Sequence, residues 1–330
     1  MQDEQRLADL QQWLRHDLDI AFNDIVPASG DASFRRYFRI QHNGKSLIVM
    51  DAPPDKEDCV PFINISKAMA TMGLNVPQVL QQDLERGYLL LSDLGNVQYL
   101  EQLNAETVNR LYGDALDALL LLHSTSADHS LLPLYDHALL MREMELLREW
   151  YLERHLGVTL NASQHEILNE TFELLAQSAL AQPRVWVHRD YHSRNLMVVD
   201  SHNPGVLDFQ DAVFGPITYD LVSLLKDCYI EWPREQVVNW IAQYHQRLLT
   251  EEIIKDIDSA QFIKWFDLMG VQRHLKAAGI FARLNIRDNK PGYLQDIPRT
   301  LQYVMDVCGR YGELGPLKQL LVETTVTSRD

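Results

Sequence analysis

The spacing of apolar positions changes along the chain. Between residues 3 and 18, Leu7, Leu10, Leu14 and Leu18 recur at helical spacing and predict an amphipathic helix. The runs from Arg35 to Ile40 and from Ser46 to Met50 are shorter, aromatic and β-branched. Asn43-Gly44 lies between them, which is the pattern of a tight β-hairpin. A helix from about Cys59 to Met72 follows, with Asp58 as its N-cap and Gly73 as its stop. Further strands are expected around 78–82 and 87–91. Together these predict a small, mostly antiparallel sheet with one helix.

After Gly95 the helical period takes over, over 105–123, 136–155 and 164–182. A β-like island runs from Val185 to Leu207, and helices return over 218–228, 234–249, 262–282 and 295–309. The arrangement is α+β: a sheet-rich region of residues 1–94, with the leading helix 3–18, and a helix-rich region of 95–330. Clefts between two such regions are common ligand sites.

Composition narrows the function. The 330 residues are 46% hydrophobic and 23% charged, enough apolar material for sizeable cores. Thirty Lys and Arg against 46 Asp and Glu leave a formal charge of −16, the wrong sign for a protein that binds duplexes by counterion release. No nucleic-acid partner is expected, and any anion must be held locally. The richest apolar stretch, Leu119 to Leu122, is far too short to span a bilayer, so no membrane partner is expected. Cys59, Cys228 and Cys308 lie far apart with no CxxC pair, which fits a reduced, cytoplasmic setting. The polar, acidic start from Met1 to Arg6 has no signal-peptide pattern.

The island carries the chemistry. His188-Arg189-Asp190 is followed by Asn195, giving H-x-D-x-x-x-x-N between apolar runs, and Asp208-Phe209 follows Asn195 by thirteen positions. Phosphoryl transfer needs a carboxylate that orients an attacking hydroxyl and accepts its proton, and oxygen ligands that hold Mg²⁺ on nucleotide phosphates. Asp190 suits the first task; Asn195 and Asp208 suit the second. A competing reading, metal hydrolysis by His188, Asp190 and His192 at i, i+2, i+4, leaves Asn195 and Asp208 idle.

These residues resemble the aminoglycoside phosphotransferase and choline kinase superfamily, relatives of the protein kinases. His192, two positions after Asp190, is typical of its small-molecule branch. Asp208 is followed by Phe-Gln, and Asp220 comes only twelve positions later, which leaves no room for an activation segment. The segments Gly30 to Phe38, Val49 to Pro53, Leu90 to Gly95 and 270–294 are similar to the bacterial anomeric sugar kinases. The resemblance implies a bilobal kinase-like fold, with a small antiparallel-sheet N-lobe and a larger, mainly helical C-lobe. It also implies ATP and Mg²⁺ as cofactors, and phosphorylation of the C1 hydroxyl of N-acetylmuramate or N-acetylglucosamine in cell-wall sugar recycling. Two alternatives stay open: a phosphotransferase acting on aminoglycosides or other small hydroxyl compounds, and an inactive kinase-like binding module.

One departure stands out. The strand position that carries a phosphate-binding Lys in kinase-like folds is Met50 here, and the following helix contains no Asp or Glu. Backbone groups of Gly30, Ser33 and Phe34, with Arg35, Arg36 or Lys67, are expected to meet the phosphates instead. Ser92 and Leu94 stand where a hinge would bond adenine. Asp220 is expected to support the catalytic loop, and His192, Gln210 and Asp211 to reach the acceptor. Residues 271–290 hold Arg273, Lys276, Arg283, Arg287 and Lys290 against Asp288 alone, a local charge of +4. At about 100° per residue these cations share one helical arc, a face for an anion or for solvent, with Arg273 and Arg283 as acceptor contacts.

Overall fold

The computed structural model describes residues 2–29, 34–124 and 129–327. The chain forms two compact units, residues 1–115 with 194–211, and 116–193 with 212–330. A single break at 94/95 does not describe this division. Residues 194–211 return to the first unit because Val198 N–H donates to the Val97 carbonyl and Val206 N–H to the Asn75 carbonyl, both at 2.8 Å.

The first unit is built on an antiparallel sheet of β1 (Ile25–Ser29), β2 (Arg36–His42), β3 (Lys45–Asp51), β4 (Val79–Asp83) and β5 (Tyr88–Ser92), in the order β1-β2-β3-β5-β4. The predicted hairpin is β2–β3. Asn43 and Gly44 take φ of 50° and 73°, the paired positive values that a two-residue turn demands. The leading helix α1 (Gln2–Gln12) continues into a π-helical turn, Trp13–Asp17, closed by Leu18 N–H to the Trp13 carbonyl at 3.1 Å. The extra residue in that turn shifts the helical phase. Trp13 and Leu14 are both buried, packing with Leu10 on Phe38, Ile40, Val49 and Leu90. Helix α2 (Cys59–Thr71) starts where Asp58 accepts Val60 N–H at 2.8 Å. A short helix, α3 (Tyr99–Gln102), and the two-stranded ladder of β7 (Leu196–Met197) with β8 (Gly205–Val206) complete the unit, together with the first half of α4 (Val108–Ser124).

In the second unit β6 (Arg184–Val187) pairs with β9 (Val213–Pro216), a strand the sequence pattern misses. The helices are α5 (His137–Leu146), α6 (Ala162–Leu180), α7 (Tyr219–Leu225), α8 (Arg234–Thr250), α9 (Ser259–Asp288), α10 (Ile297–Cys308) and α11 (Gly315–Thr327). The expected helix over 136–155 is α5 followed by a π-helical stretch, Leu147–His155. Helix α9, 30 residues long, packs against α5, α6, α7, α8 and α10 and is buried nearly all round, as a central core helix must be. Gly279 permits a close approach, since a Cβ there would lie 2.3 Å from the Leu146 carbonyl carbon. Among the described residues no helix is long and apolar enough to cross a membrane.

Candidate active site

The loop expected to be catalytic leaves β6 at Val187. Its first turn is held by one buried carboxylate: Asp220, in the first turn of α7, accepts His188 N–H at 2.6 Å and Arg189 N–H at 2.9 Å. Arg189 has φ of 75°, a left-handed conformation that a non-glycine residue keeps only where surroundings impose it. Burial pushes the Asp220 carboxyl up to about 7, with the nearby Asp190 charge acting in the same direction against the two N–H bonds. His188 is buried and its Nδ1 accepts Asp190 N–H at 3.2 Å. The imidazole therefore shapes the loop, and the hydrolytic His188–Asp190–His192 reading loses its first ligand. Among the described residues no group of three or more His, Cys, Asp or Glu side chains is arranged to hold a metal ion.

Asp190 itself is partly exposed. Burial acts to raise its carboxyl, but the positive fields of Lys276, His192, Arg273 and Arg189 outweigh it and hold the group below the ordinary carboxylate range. It is therefore ionised at neutral pH. Further along the loop, the backbone N–H and Oγ of fully buried Ser193 both donate to Asp227, whose other oxygen accepts Tyr229 N–H at 2.9 Å.

Two of these cations are tied to one acid. Glu143 on α5 pairs with Arg189 and, at 2.9 Å, with Lys276, and also accepts the Tyr135 hydroxyl. Lys276 Nζ donates to the Tyr219 hydroxyl at 3.0 Å. Burial would raise the Glu143 carboxyl, but Lys276 and Arg189 hold it down. The sequence reading missed Glu143. Its signal was a charge on the apolar face formed by Leu140, Met144 and Leu147.

The pair expected to hold a metal forms within the first unit. Asn195 Nδ2 donates to Asp208 Oδ2 at 3.2 Å, and Leu207 N–H donates to the Asn195 carbonyl at 2.9 Å. Asp208 sits at φ 64° just beyond the β7–β8 ladder. Gln210 Nε2 donates to Asp208 Oδ1 at 2.8 Å, so Gln210 is placed on the carboxylate expected to hold the metal. A carboxylate and an amide side chain joined on a short ladder form an oxygen-donor set suited to a hard divalent cation, so the residues fit Mg²⁺. Asp211 is exposed.

The remaining expected contacts divide. Gly30 and Ser33 lie outside the described residues. Phe34 is exposed, and its N–H donates to Glu57 at 3.2 Å. Arg36 faces Asp51 across β2–β3 and bonds it through Nε at 3.0 Å and Nη2, while Arg6 occupies the other oxygen of the same fully buried carboxylate. Arg35 pairs with Glu57 at 2.8 Å. Lys67 stays exposed on α2, and Met50 is fully buried. Ser92 N–H donates to the Gln78 carbonyl and its Oγ accepts Gln78 N–H. Leu94 packs over Gly205.

The basic stretch does not share one environment. Arg273 and Lys276 are buried, and the titratable groups around Arg273 include Cys228, Tyr219, Asp190 and Asp227. Half-buried Arg283 instead feels Arg287, Asp288 and Glu149, so the structure does not join it to Arg273 in one subsite. Arg287 pairs with Asp288 at 2.7 Å, and Lys290 lies beyond the α9 cap at Asn289.

Residues 24–262 match the phosphotransferase enzyme family. The chain belongs to that family. A Pseudomonas putida protein named N-acetylmuramate/N-acetylglucosamine kinase is 47% identical over 334 residues, covering 98% of each chain. A protein of the same name from Neisseria meningitidis serogroup B is 43% identical over 324 residues, covering 97% of this chain and 96% of that one. Among solved structures, a spectinomycin phosphotransferase bound to ADP and spectinomycin superposes with a TM-score of 0.64 at 13% identity, over 90% of this chain and 98% of that one. A choline kinase from Streptococcus pneumoniae gives 0.60 at 12%, over 91% and 99%. These likenesses establish the kinase-like α+β fold of this phosphotransferase.

Proposed function

We propose that this phosphotransferase transfers the γ-phosphoryl group of ATP to the anomeric hydroxyl of N-acetylmuramate, N-acetylglucosamine or both. The observation that carries this reading is the likeness along nearly the whole chain to relatives named for those two sugars. The intact Asp190, Asn195 and Asp208 set supports activity over an inactive binding module. Mg²⁺, when bound by Asn195 and Asp208, supplies charge neutralisation for the nucleotide phosphates.

Asp190 accepts a hydrogen bond from the attacking hydroxyl and aims its oxygen. Because its carboxyl is held below the usual range, it is a weak base that takes the proton late, as bonding to phosphorus advances. That suits a loose phosphoryl transition state, in which positioning contributes more than deprotonation. Arg273, Lys276 and Arg189 surround Asp190 with positive charge, which disfavours the cationic acceptor of an antibiotic-modifying enzyme. No counterpart of the strand Lys is available at buried Met50; Lys67 and the backbone near Gly30, Ser33 and Phe34 remain the groups proposed to meet phosphate.

The test measures ATP consumption with N-acetylmuramate, N-acetylglucosamine, kanamycin and choline, with Asp190→Asn as control. Turnover is expected on an amino sugar with loss of its reducing end, since phosphorylated C1 can no longer open. Turnover on kanamycin or choline alone, or phosphorylation that leaves the reducing end intact, defeats the reading.

A further inference from the structure

A row of aromatic rings starts at the catalytic loop. The His192 ring meets Tyr229 edge-on at 5.4 Å between centroids, Tyr229 meets Phe281 at 6.3 Å, and Phe281 stacks on Tyr293 at 5.7 Å with planes 17° apart. Phe281 is buried, whereas His192, Tyr229 and Tyr293 each keep an accessible part. His192 N–H donates to the Asp190 carbonyl at 3.0 Å, so the row begins two residues from the proposed base.

The segment that carries Tyr229 is fastened at each residue. Asp227 binds Ser193 of the catalytic loop and Tyr229 N–H. Cys228 takes Arg299 on its carbonyl at 2.9 Å and Arg273 on its sulfur at 3.8 Å. The Tyr303 hydroxyl donates to the Ile230 carbonyl at 3.2 Å. A ring held this way loses little further freedom when a ligand settles on it. Asp227 also ties its position directly to the loop bearing Asp190.

The geometry points to Tyr229 and Tyr293, backed by Phe281, as a stacking platform for the pyranose ring of an N-acetylhexosamine acceptor. A hexosamine presents a face of C–H bonds between polar edges, and an aromatic surface with a few polar groups beside it matches that division. Aromatic rings also attract organic cations. Buried Arg273, in contact with Cys228 next to Tyr229, opposes a cationic ligand and favours a neutral or anionic ring. The inference rests on the proposed sugar-kinase activity and names the surface that would select its acceptor.

Steady-state kinetics of Tyr229→Ala, Tyr293→Ala and Tyr229→Phe test it, with ATP and N-acetylglucosamine varied separately. The two alanine variants are expected to raise the sugar KM about tenfold each and leave the ATP KM within about twofold, while Tyr229→Phe stays close to wild type. Saturation-transfer NMR with N-acetylglucosamine gives a second readout, strong for wild type and weak for Tyr229→Ala. Sugar turnover with an unchanged sugar KM in both alanine variants overturns the platform alone. A matched rise in the ATP KM overturns it too, because the residues would then act on the fold. No sugar signal or turnover from wild type overturns both the platform and the activity it rests on.

Discussion

The carboxylate of Asp220 accepts the backbone N–H of His188 at 2.6 Å, across 32 positions of sequence. With the Arg189 N–H on its other oxygen, this bond sets the turn that presents Asp190. The loop is therefore shaped by a helix that follows it in sequence, and by backbone donors no side-chain motif displays.

Asp220→Asn should disturb that turn. An amide offers one acceptor oxygen to two N–H donors and turns its own N–H₂ toward one of them. A loss of about 1–3 kcal/mol in unfolding free energy is expected, with kcat falling more than either KM. Urea unfolding and initial rates on the same preparation check both. A variant with wild-type kcat would show that the turn does not depend on the Asp220 charge.

Glu143 should prove a structural acid at the centre of a cationic cluster. Glu143→Gln leaves buried Lys276 and part-buried Arg189 without their counter-charge and should cost about 3–5 kcal/mol. Adding Lys276→Met should restore part of that loss, because one stranded charge leaves with it. If the losses of Glu143→Gln and Lys276→Met measured singly add up to that of the double variant, the two side chains are not coupled; a double-mutant cycle measures this.

Two buried histidines predict acid sensitivity. Burial lowers both His123 and His274 to about 3, with the neighbouring Arg273 charge adding to the effect on His274. The unfolded chain protonates these rings near the usual 6.5, so the stability they contribute is complete above that pH. It is lost as pH falls from 6.5 toward 3. The Tm should drop between pH 7.5 and 5, and His274→Gln should make that drop shallower. A variant with the wild-type slope would remove His274 from the account.

Arg36 and Lys67 separate by readout. Because Arg36 and Arg6 share the buried Asp51 carboxylate, Arg36→Ala should lower the Tm, at a cost of about 1–3 kcal/mol, without raising the ATP KM. Lys67→Ala, on an exposed part of α2, should raise the ATP KM and leave the Tm unchanged. The opposite pattern would give Arg36 the phosphate contact.

Local signals determined a large share of this protein. Leu spacing, Asn43-Gly44 and Asp58 were enough to place α1, the β2–β3 hairpin and the start of α2, because caps, turns and periodicity act within a few residues. The spacing from Asp190 to Asn195 to Asp208 is a local pattern of the same kind, and the roles proposed for the three follow from the chemistry of those side chains. Apart from the Asp220 support of the loop, which the sequence also suggested, what it could not express was partnership between distant residues. Arg36 looked available for phosphate until β3 brought Asp51 opposite it. The +4 stretch looked like one helix face, but burial against α5 and α7 gave Arg273 and Lys276 different neighbours from Arg283. β9 was missed because its identity as a strand comes from pairing with β6. A charged side chain has no fixed role in sequence; its role follows from whichever groups share its low-dielectric surroundings, and only tertiary packing chooses them.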